Sequence, residues 1–335
     1  MTKPTLEQRP FPRLGRNVSV VGLGCWQLGA DWGEVTEADA RAVLEAAYQA
    51  GVTFFDTADV YGDGRSEKLI GAFLRDLGGE AGAVFVATKA GRRASPHVPA
   101  AFTAANLRGW IERSRDNLGV ETLDLVQLHC PPTPVFADDA VLDALDDLVG
   151  QKLLAGYGVS VETVDEALTA IARPGVASVQ IILNAFRLKP VEVVLPAARQ
   201  AGVGVIARVP LASGLLSGRY TASTTFGADD HRTYNRHGEA FDVGETFSGV
   251  DFATGLQAVE DLKQAVPEGW TLPRAALRWI IDRPGVTTVI PGARNPAQAR
   301  GNAEAAQAGQ VGQGFTDAVS DVYDRYLRSA VEPRW

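Results

Sequence analysis

Eight times along this chain an apolar run of strand length gives way to a segment with helical periodicity, and this alternation restricts the fold more than any other feature. The strand-length runs begin near Val20, Thr53, Val84, Leu123, Ala155, Ser178, Val203 and Thr287. Repeated βαβ units imply a parallel sheet, and eight of them predict an α/β fold of the (β/α)8 TIM-barrel kind, with chemistry at the C-terminal mouth. The 335 residues exceed the roughly 250 typical of such a barrel. No low-complexity linker or fixed-length repeat divides them, so one domain over residues 1–335 is expected. Two additions account for the excess. Short extended runs around Gly15, Arg16 and Asn17 predict an N-terminal β-hairpin that plugs one end of the barrel. A long polar stretch after the seventh strand, residues 221–249, predicts a loop that covers the mouth.

The intervening helices carry their own punctuation. Thr36 stands three residues before Asp39 and opens a run ended by Gly51; Thr103 opens a segment that stops at Gly119; Asp138 and Asp139 lead into Val141, Leu142, Leu145 and Leu148.

Hydrophobic residues at 46% and charged residues at 21% are ample for a folded core. A formal charge of −8 argues against a broad nucleic-acid surface, which needs contiguous positive charge. No apolar run reaches the roughly 18 residues that suggest a membrane span. Residues 1–8 lack a hydrophobic segment of the signal-peptide kind, so no membrane partner and a cytoplasmic location are expected. With two cysteines and four histidines, none at familiar zinc spacing, no metal is expected either. Cys130 reads as a buried structural thiol, with an oxidation-sensitive thiol next to His129 as the alternative, and Trp110 and Trp279, on helical patterns, as packing residues.

Polar groups close several successive strands. Asp56 and Tyr61 follow Phe54-Phe55, Lys89 ends Val84-Phe85-Val86-Ala87-Thr88, His129 ends Leu125-Val126-Gln127-Leu128, and Ser160 ends Tyr157-Gly158-Val159. Each alone has an ordinary structural reading. Barrel topology, however, places the ends of the second, third and fourth strands side by side, so an acid, a phenol, an ammonium and an imidazole converge.

These segments resemble the aldo-keto reductases. The likeness runs from Gly22-Leu23-Gly24-Cys25-Trp26 through Asp56-Thr57-Ala58-Asp59-Val60-Tyr61-Gly62, Thr88-Lys89, Gln127-Leu128-His129, Gly158-Val159-Ser160 and Pro210-Leu211-Ala212-Ser213-Gly214 to Ile290-Pro291-Gly292-Ala293-Arg294. It implies a catalytic tetrad of Asp56, Tyr61, Lys89 and His129, and NADPH-dependent reduction of an aldehyde or ketone to an alcohol. Reduction by hydride creates an alkoxide that must be protonated or held by donors as it forms. On this view Lys89 favours the phenolate and lowers the pKa of Tyr61, the proton donor, while Asp56 orients Lys89 and His129 donates to the carbonyl oxygen.

The same resemblance distributes the cofactor contacts. Gly24, Cys25, Trp26 and Asp56 lie by the nicotinamide half, and Ser160 and Gln180 meet its carboxamide. Pro210, Leu211, Ser213, Gly214, Leu216 and Gly218 cover the diphosphate, and Gly292, Arg294, Gln298 and Asn302 receive the adenosine end. An arginine beside a helix N-terminus suits a phosphate and favours NADP over NAD. Gly22, Gly24 and Gly29 do not form a GxGxxG turn, because the third glycine comes too late. Two positions depart from the commoner family pattern: Val161 stands where Asn is frequent, and Arg208 where an aromatic stacks on the nicotinamide. A guanidinium is planar and stacks too, but brings charge to the ring. The substrate pocket is expected from Trp26, Trp32, Tyr61 and His129, with Tyr234, Phe241 and Phe247 of the long loop as further wall candidates. A cofactor-binding regulatory or redox-sensing subunit of the same fold is the alternative function.

Overall fold

The computed structural model describes residues 3–29 and 35–335; Trp32 lies outside them. Strands β1 (Gln8–Phe11) and β2 (Arg16–Ser19) form the antiparallel hairpin. The eight parallel strands follow as β3 (Leu23–Gly24), β4 (Phe54–Asp56), β5 (Phe85–Ala90), β6 (Leu125–His129), β7 (Tyr157–Ser160), β8 (Val176–Ile182), β9 (Gly204–Arg208) and β10 (Val286–Val289), each paired with the next in chain order. Bridges between Val21 and Val289 and between Gly24 and Gly292 join the first to the last. The sheet therefore closes into the expected (β/α)8 barrel. All eight strands fall where the apolar runs predict, and Thr36, Thr103 and Asp138 each cap a helix through the side chain. No helix among the described residues is long and apolar enough to cross a membrane.

The hairpin turns earlier than the sequence suggests. A 3-10 turn over Pro12–Leu14, closed by Gly15 in the left-handed region, makes the reversal, so Arg16 and Asn17 belong to β2 rather than to the turn. Proline at the first helical position and glycine at the end impose this geometry locally. Phe11 then enters the barrel floor and stacks on Phe54 at 5.9 Å and Phe85 at 5.6 Å between ring centroids. Gly204 makes room for it, since a Cβ there would lie 2.3 Å from the Phe11 ring. Arg13 fixes the plug from outside by donating to the carbonyls of Arg173, Pro174, Val176 and Ala201 at 2.7–2.9 Å.

Strand alternation now sorts the barrel interior into two zones. Phe54, Phe85, Ala87, Leu125 and Ile206 share an apolar cluster with Phe11. Two or four residues further along the same inward phase come Asp56, Lys89, Gln127, His129 and Arg208, all buried. The floor is dry and the mouth is polar because each strand changes character along its length.

Replacing Phe11 with alanine is expected to destabilise the protein by about 3–5 kcal/mol, the range for a large buried ring removed from a core. Urea denaturation followed by circular dichroism measures it, and a change below about 1 kcal/mol would deny the plug a structural role.

Candidate active site

At the centre of the mouth Lys89 Nζ donates to Asp56 Oδ1 at 2.5 Å and to the Thr57 carbonyl at 2.8 Å, with both side chains almost wholly buried. The other carboxylate oxygen of Asp56 accepts from Gln180 Nε2 at 2.7 Å and from Gln127 Nε2 at 3.3 Å. A buried carboxylate with this many donors, and a buried ammonium with this many acceptors, satisfies the requirement that makes interior charge tolerable. Burial by itself would lower the pKa of Lys89, but Asp56 and then Tyr61 outweigh it and hold the amine above its ordinary value. It is an ammonium throughout the neutral range.

The loop after β4 brings Tyr61 over this pair. Thr57 N donates to the Ala87 carbonyl at 2.8 Å and Asp59 N to that of Lys89 at 3.1 Å, so the loop is tied to the third barrel strand just where the lysine emerges. Lys89 Nζ lies 5.2 Å from the Tyr61 ring centroid, and the His129 ring meets that ring edge-on at 5.9 Å. Trp26 stacks on its other neighbour side at 6.1 Å. The four groups expected to converge do so.

The acidity of the phenol runs opposite to the expectation. Burial pushes Tyr61 up to about 12; Lys89 pulls it down as anticipated, but Asp56 and Glu245 oppose that pull. Tyr61 is therefore a neutral phenol that holds its proton. His129 is held well below the usual imidazole range, first by burial and then by the positive charges of Arg92, Lys89 and Arg208. It is neutral as well, and can donate only one N–H.

The remaining expected residues lie around this centre. Ser160 is paired in register with His129 on one side and Gln180 on the other. Cys25, fully buried, donates its backbone N–H to the Asp56 carbonyl, and burial followed by Asp56 pushes its thiol up. Cys130 is half-buried, with its Sγ 3.3 Å from Ser160 Oγ, and its thiol too is pushed up by burial and Glu162. After β9, the chain through Pro210, Leu211 and Leu216 to Gly218 contains Val209, Ala212, Ser213 and Gly214, all with φ between 47° and 94°. These residues form a tight turn that satisfies its own amides: Ala212 N donates to the Val209 carbonyl at 3.0 Å and Gly214 N to the Leu211 carbonyl at 2.9 Å. Asn295 caps the Pro296–Gln307 helix by accepting from Gln298 N, Gln298 Oε1 receives Arg294 N at 2.7 Å, and Asn302 Nδ2 donates to the Gly292 carbonyl. A capped helix start beside an arginine is a group that could hold a phosphate.

Gln127, Arg92, Glu162, Glu245 and His231 stand at the mouth without having been singled out by the sequence. Gln127 lies two residues before His129 on the inward phase, and strand alternation was the signal for it. Arg208 donates to Glu162 at 2.8 Å and to the Val161 carbonyl at 3.0 Å, and lies 3.6 Å from Glu245, which also meets Arg92 at 3.3 Å. Burial, with Glu245 acting in the same direction, raises Glu162 to about 7 against the pull of Arg208, whereas Arg208 and Arg92 hold Glu245 below its ordinary value against burial. Cys130, Glu162 and Glu245 have ligand-type atoms within 4.8 Å of one another, but two guanidinium groups already meet the carboxylates. The long loop also reaches the mouth directly: Trp26 contacts His231 at 5.0 Å and Phe241 at 6.0 Å, and Tyr234 packs edge-on to Phe241. Phe247, by contrast, packs with Phe226 and Phe252 under the loop.

This arrangement can be set against known proteins. The sequence matches the profile of the aldo/keto reductase family over residues 20–321. The chain belongs to the aldo/keto reductase family. Aldo-keto reductase YhdN of Bacillus subtilis (strain 168) is 28% identical to this reductase-family chain over 301 residues, covering 88% of it and 86% of the relative. Aldo-keto reductase yakc [NADP(+)] of Schizosaccharomyces pombe is 26% identical over 295 residues, 85% of this chain and 83% of that one. The solved glycerol dehydrogenase AKR11B4 from Gluconobacter oxydans superposes with a TM-score of 0.78 at 26% identity, over 100% of this chain and 99% of its own.

The state of His129 has a measurable consequence. An unfolded histidine takes up a proton near pH 6.5, whereas folded His129 resists protonation until far lower pH. The unfolded chain thus binds more protons below 6.5, and the contribution of His129 to stability, complete above that value, is lost as the pH falls. His129→Gln is expected to flatten the decline in unfolding free energy between pH 7 and 5 by on the order of 1 kcal/mol. Parallel slopes for the two proteins would show that His129 titrates normally.

Proposed function

We propose that this aldo/keto reductase reduces an aldehyde or ketone to an alcohol with NADPH, and that Tyr61 supplies the proton. The observation that carries the reading is the buried Asp56–Lys89 pair placed directly beneath a neutral phenol, with a neutral imidazole against the same ring. When bound, the nicotinamide supplies the hydride.

This chain's residues do the rest. A nascent alkoxide is a much stronger base than a phenolate, so a phenol with a pKa near 12 gives up its proton readily to it and to little else. As the proton leaves, the Lys89 ammonium stabilises the negative charge left on the Tyr61 oxygen. Asp56, Thr57, Gln127 and Gln180 keep that ammonium from drifting, which makes the stabilisation preorganised rather than acquired during the reaction. His129 offers its single N–H to the carbonyl oxygen and so orients the reacting carbon.

Gly24, Cys25, Trp26, Ser160, Gln180 and Arg208 would hold the nicotinamide half. The turn at Ala212, Ser213 and Gly214, with Pro210, Leu211, Leu216 and Gly218 around it, would cover the diphosphate. Gly292, Arg294, Gln298 and Asn302 would hold the adenosine end. Preference for NADPH is supported by Arg294 beside a capped helix start and by the printed name of the fission-yeast relative. Trp26, Tyr61 and His129 form the inner pocket wall, with His231 and Phe241 across from Trp26.

Loss of NADPH absorbance with 4-nitrobenzaldehyde tests the activity, and Tyr61→Phe is expected to lower kcat by about 10²–10⁴-fold while NADPH fluorescence titrates unchanged. Full activity in that variant would remove Tyr61 as proton donor. NADPH binding without turnover across a panel of carbonyls would instead favour a regulatory subunit. Arg294→Ala is expected to weaken NADPH binding by about 10–100-fold, the range for charge-assisted hydrogen bonds, and to leave NADH binding as it was; equal losses for both would place the 2′-phosphate elsewhere.

A further inference from the structure

We infer that Trp335 is a positioning residue for the barrel mouth: by fixing residues 242–249 from behind, it determines where the Glu245 carboxylate meets Arg92 and Arg208. Trp335 does not touch the four central side chains. Its indole is buried against the end of the long loop, and Nε1 donates to Asp242 Oδ1 at 3.0 Å. That same oxygen accepts from Gly244 N at 2.7 Å and so caps the turn Val243–Glu245. The path from indole to Glu245 is therefore one hydrogen bond and one capped turn.

A second route converges on the same charges. The Arg187 guanidinium lies 3.8 Å from the centre of the Trp335 ring, and its Nη2 donates to the Glu162 carbonyl at 3.0 Å. Glu162 in turn receives Arg208. Arg334, stacked 4.7 Å from the same ring, donates to the Gly249 carbonyl at 3.1 Å and ties down the far end of the segment. Residues 242–249 lie directly on the indole because two of them are glycines. A Cβ at Gly249 would come 2.2 Å from the ring, at a φ of +74° that already favours glycine, and one at Gly244 would come 2.5 Å from Arg187 Nη1.

On the side facing the mouth the segment is held by Ser213, whose Oγ donates to the Glu245 carbonyl at 2.9 Å and accepts from Phe247 N at 3.0 Å. Glu245 thus sits between a support at its back and two guanidinium groups in front. Its charge bears on Tyr61 along with those of Lys89, Asp56 and Arg92, and it favours the protonated phenol. Phe241, next to Asp242, is also part of the wall facing Trp26. Loosening the segment would remove negative charge from beside Tyr61 and blur one wall of the pocket.

Trp335→Ala and Trp335→Phe test this; the second keeps a ring under Arg187 but loses the bond to Asp242. Hydrogen exchange of the 242–249 amides is expected to quicken by about tenfold or more in Trp335→Ala, with Trp335→Phe intermediate, for the loss of one hydrogen bond and two cation–π contacts. This measurement needs no substrate, so it decides the tether even if carbonyl reduction itself is refuted. The kinetic half rests on the reductase reading. There Trp335→Ala should raise KM for 4-nitrobenzaldehyde severalfold with little change in kcat, and move the alkaline limb of the pH–rate profile to lower pH. Glu245→Gln should reproduce the shift in that limb, and the double variant should shift it no further. Unchanged exchange at 242–249 in either folded variant would overturn the inference, as would an additive shift in the double variant.

Discussion

A fully buried ammonium bonded to a fully buried carboxylate is the interaction on which the rest of this mouth depends. Two charges removed from water each lose several kcal/mol of hydration, and the pair survives only if every lone pair and proton finds a partner. Here the partners come from four consecutive or near-consecutive strands: Thr57 at the end of β4, Gln127 on β6, Gln180 on β8 and the pair itself on β4 and β5. Any change in barrel register by one residue would turn these side chains outward and leave the charges alone. The pair thus ties the fold's register to its chemistry.

Around it, burial and charge act in opposite directions and produce a site of neutral acids. The phenol stays protonated although an ammonium lies beneath it, because exclusion of water weighs more than one nearby cation. The imidazole stays neutral because three cations and burial act together. Such groups can donate hydrogen bonds without carrying charge into the site, which suits a reaction whose developing charge is a single oxyanion.

The outer ring of the mouth follows a different design. Arg92, Arg208, Glu162 and Glu245 come from four loops and strand ends, two guanidinium groups facing two carboxyl groups. One member arrives on the long loop, itself backed by Trp335, so the composition of the mouth depends on chain segments far from the tetrad. Local backbone strain at Val209, Ala212 and Ser213 accompanies this arrangement. A β-branched residue at positive φ persists only where the surroundings over-determine it.

The sequence alone determined the eightfold alternation, the helix caps at Thr36, Thr103 and Asp138, and the strand ends on which Asp56, Lys89 and His129 stand, because period-two and period-3.6 patterns and cap chemistry act over a few residues. It also contained the family motifs, since those are short and contiguous. What only the tertiary structure decided were the hairpin turn at Pro12–Leu14, the insertion of Phe11 against Gly204, the pairing of Gln127 and Gln180 with Asp56, the sign of the Tyr61 shift, and the meeting of Glu245 with Arg92 and Arg208. Each of these depends on contacts between residues tens to hundreds of positions apart, or on how much water a neighbourhood excludes, and neither quantity is written in local sequence.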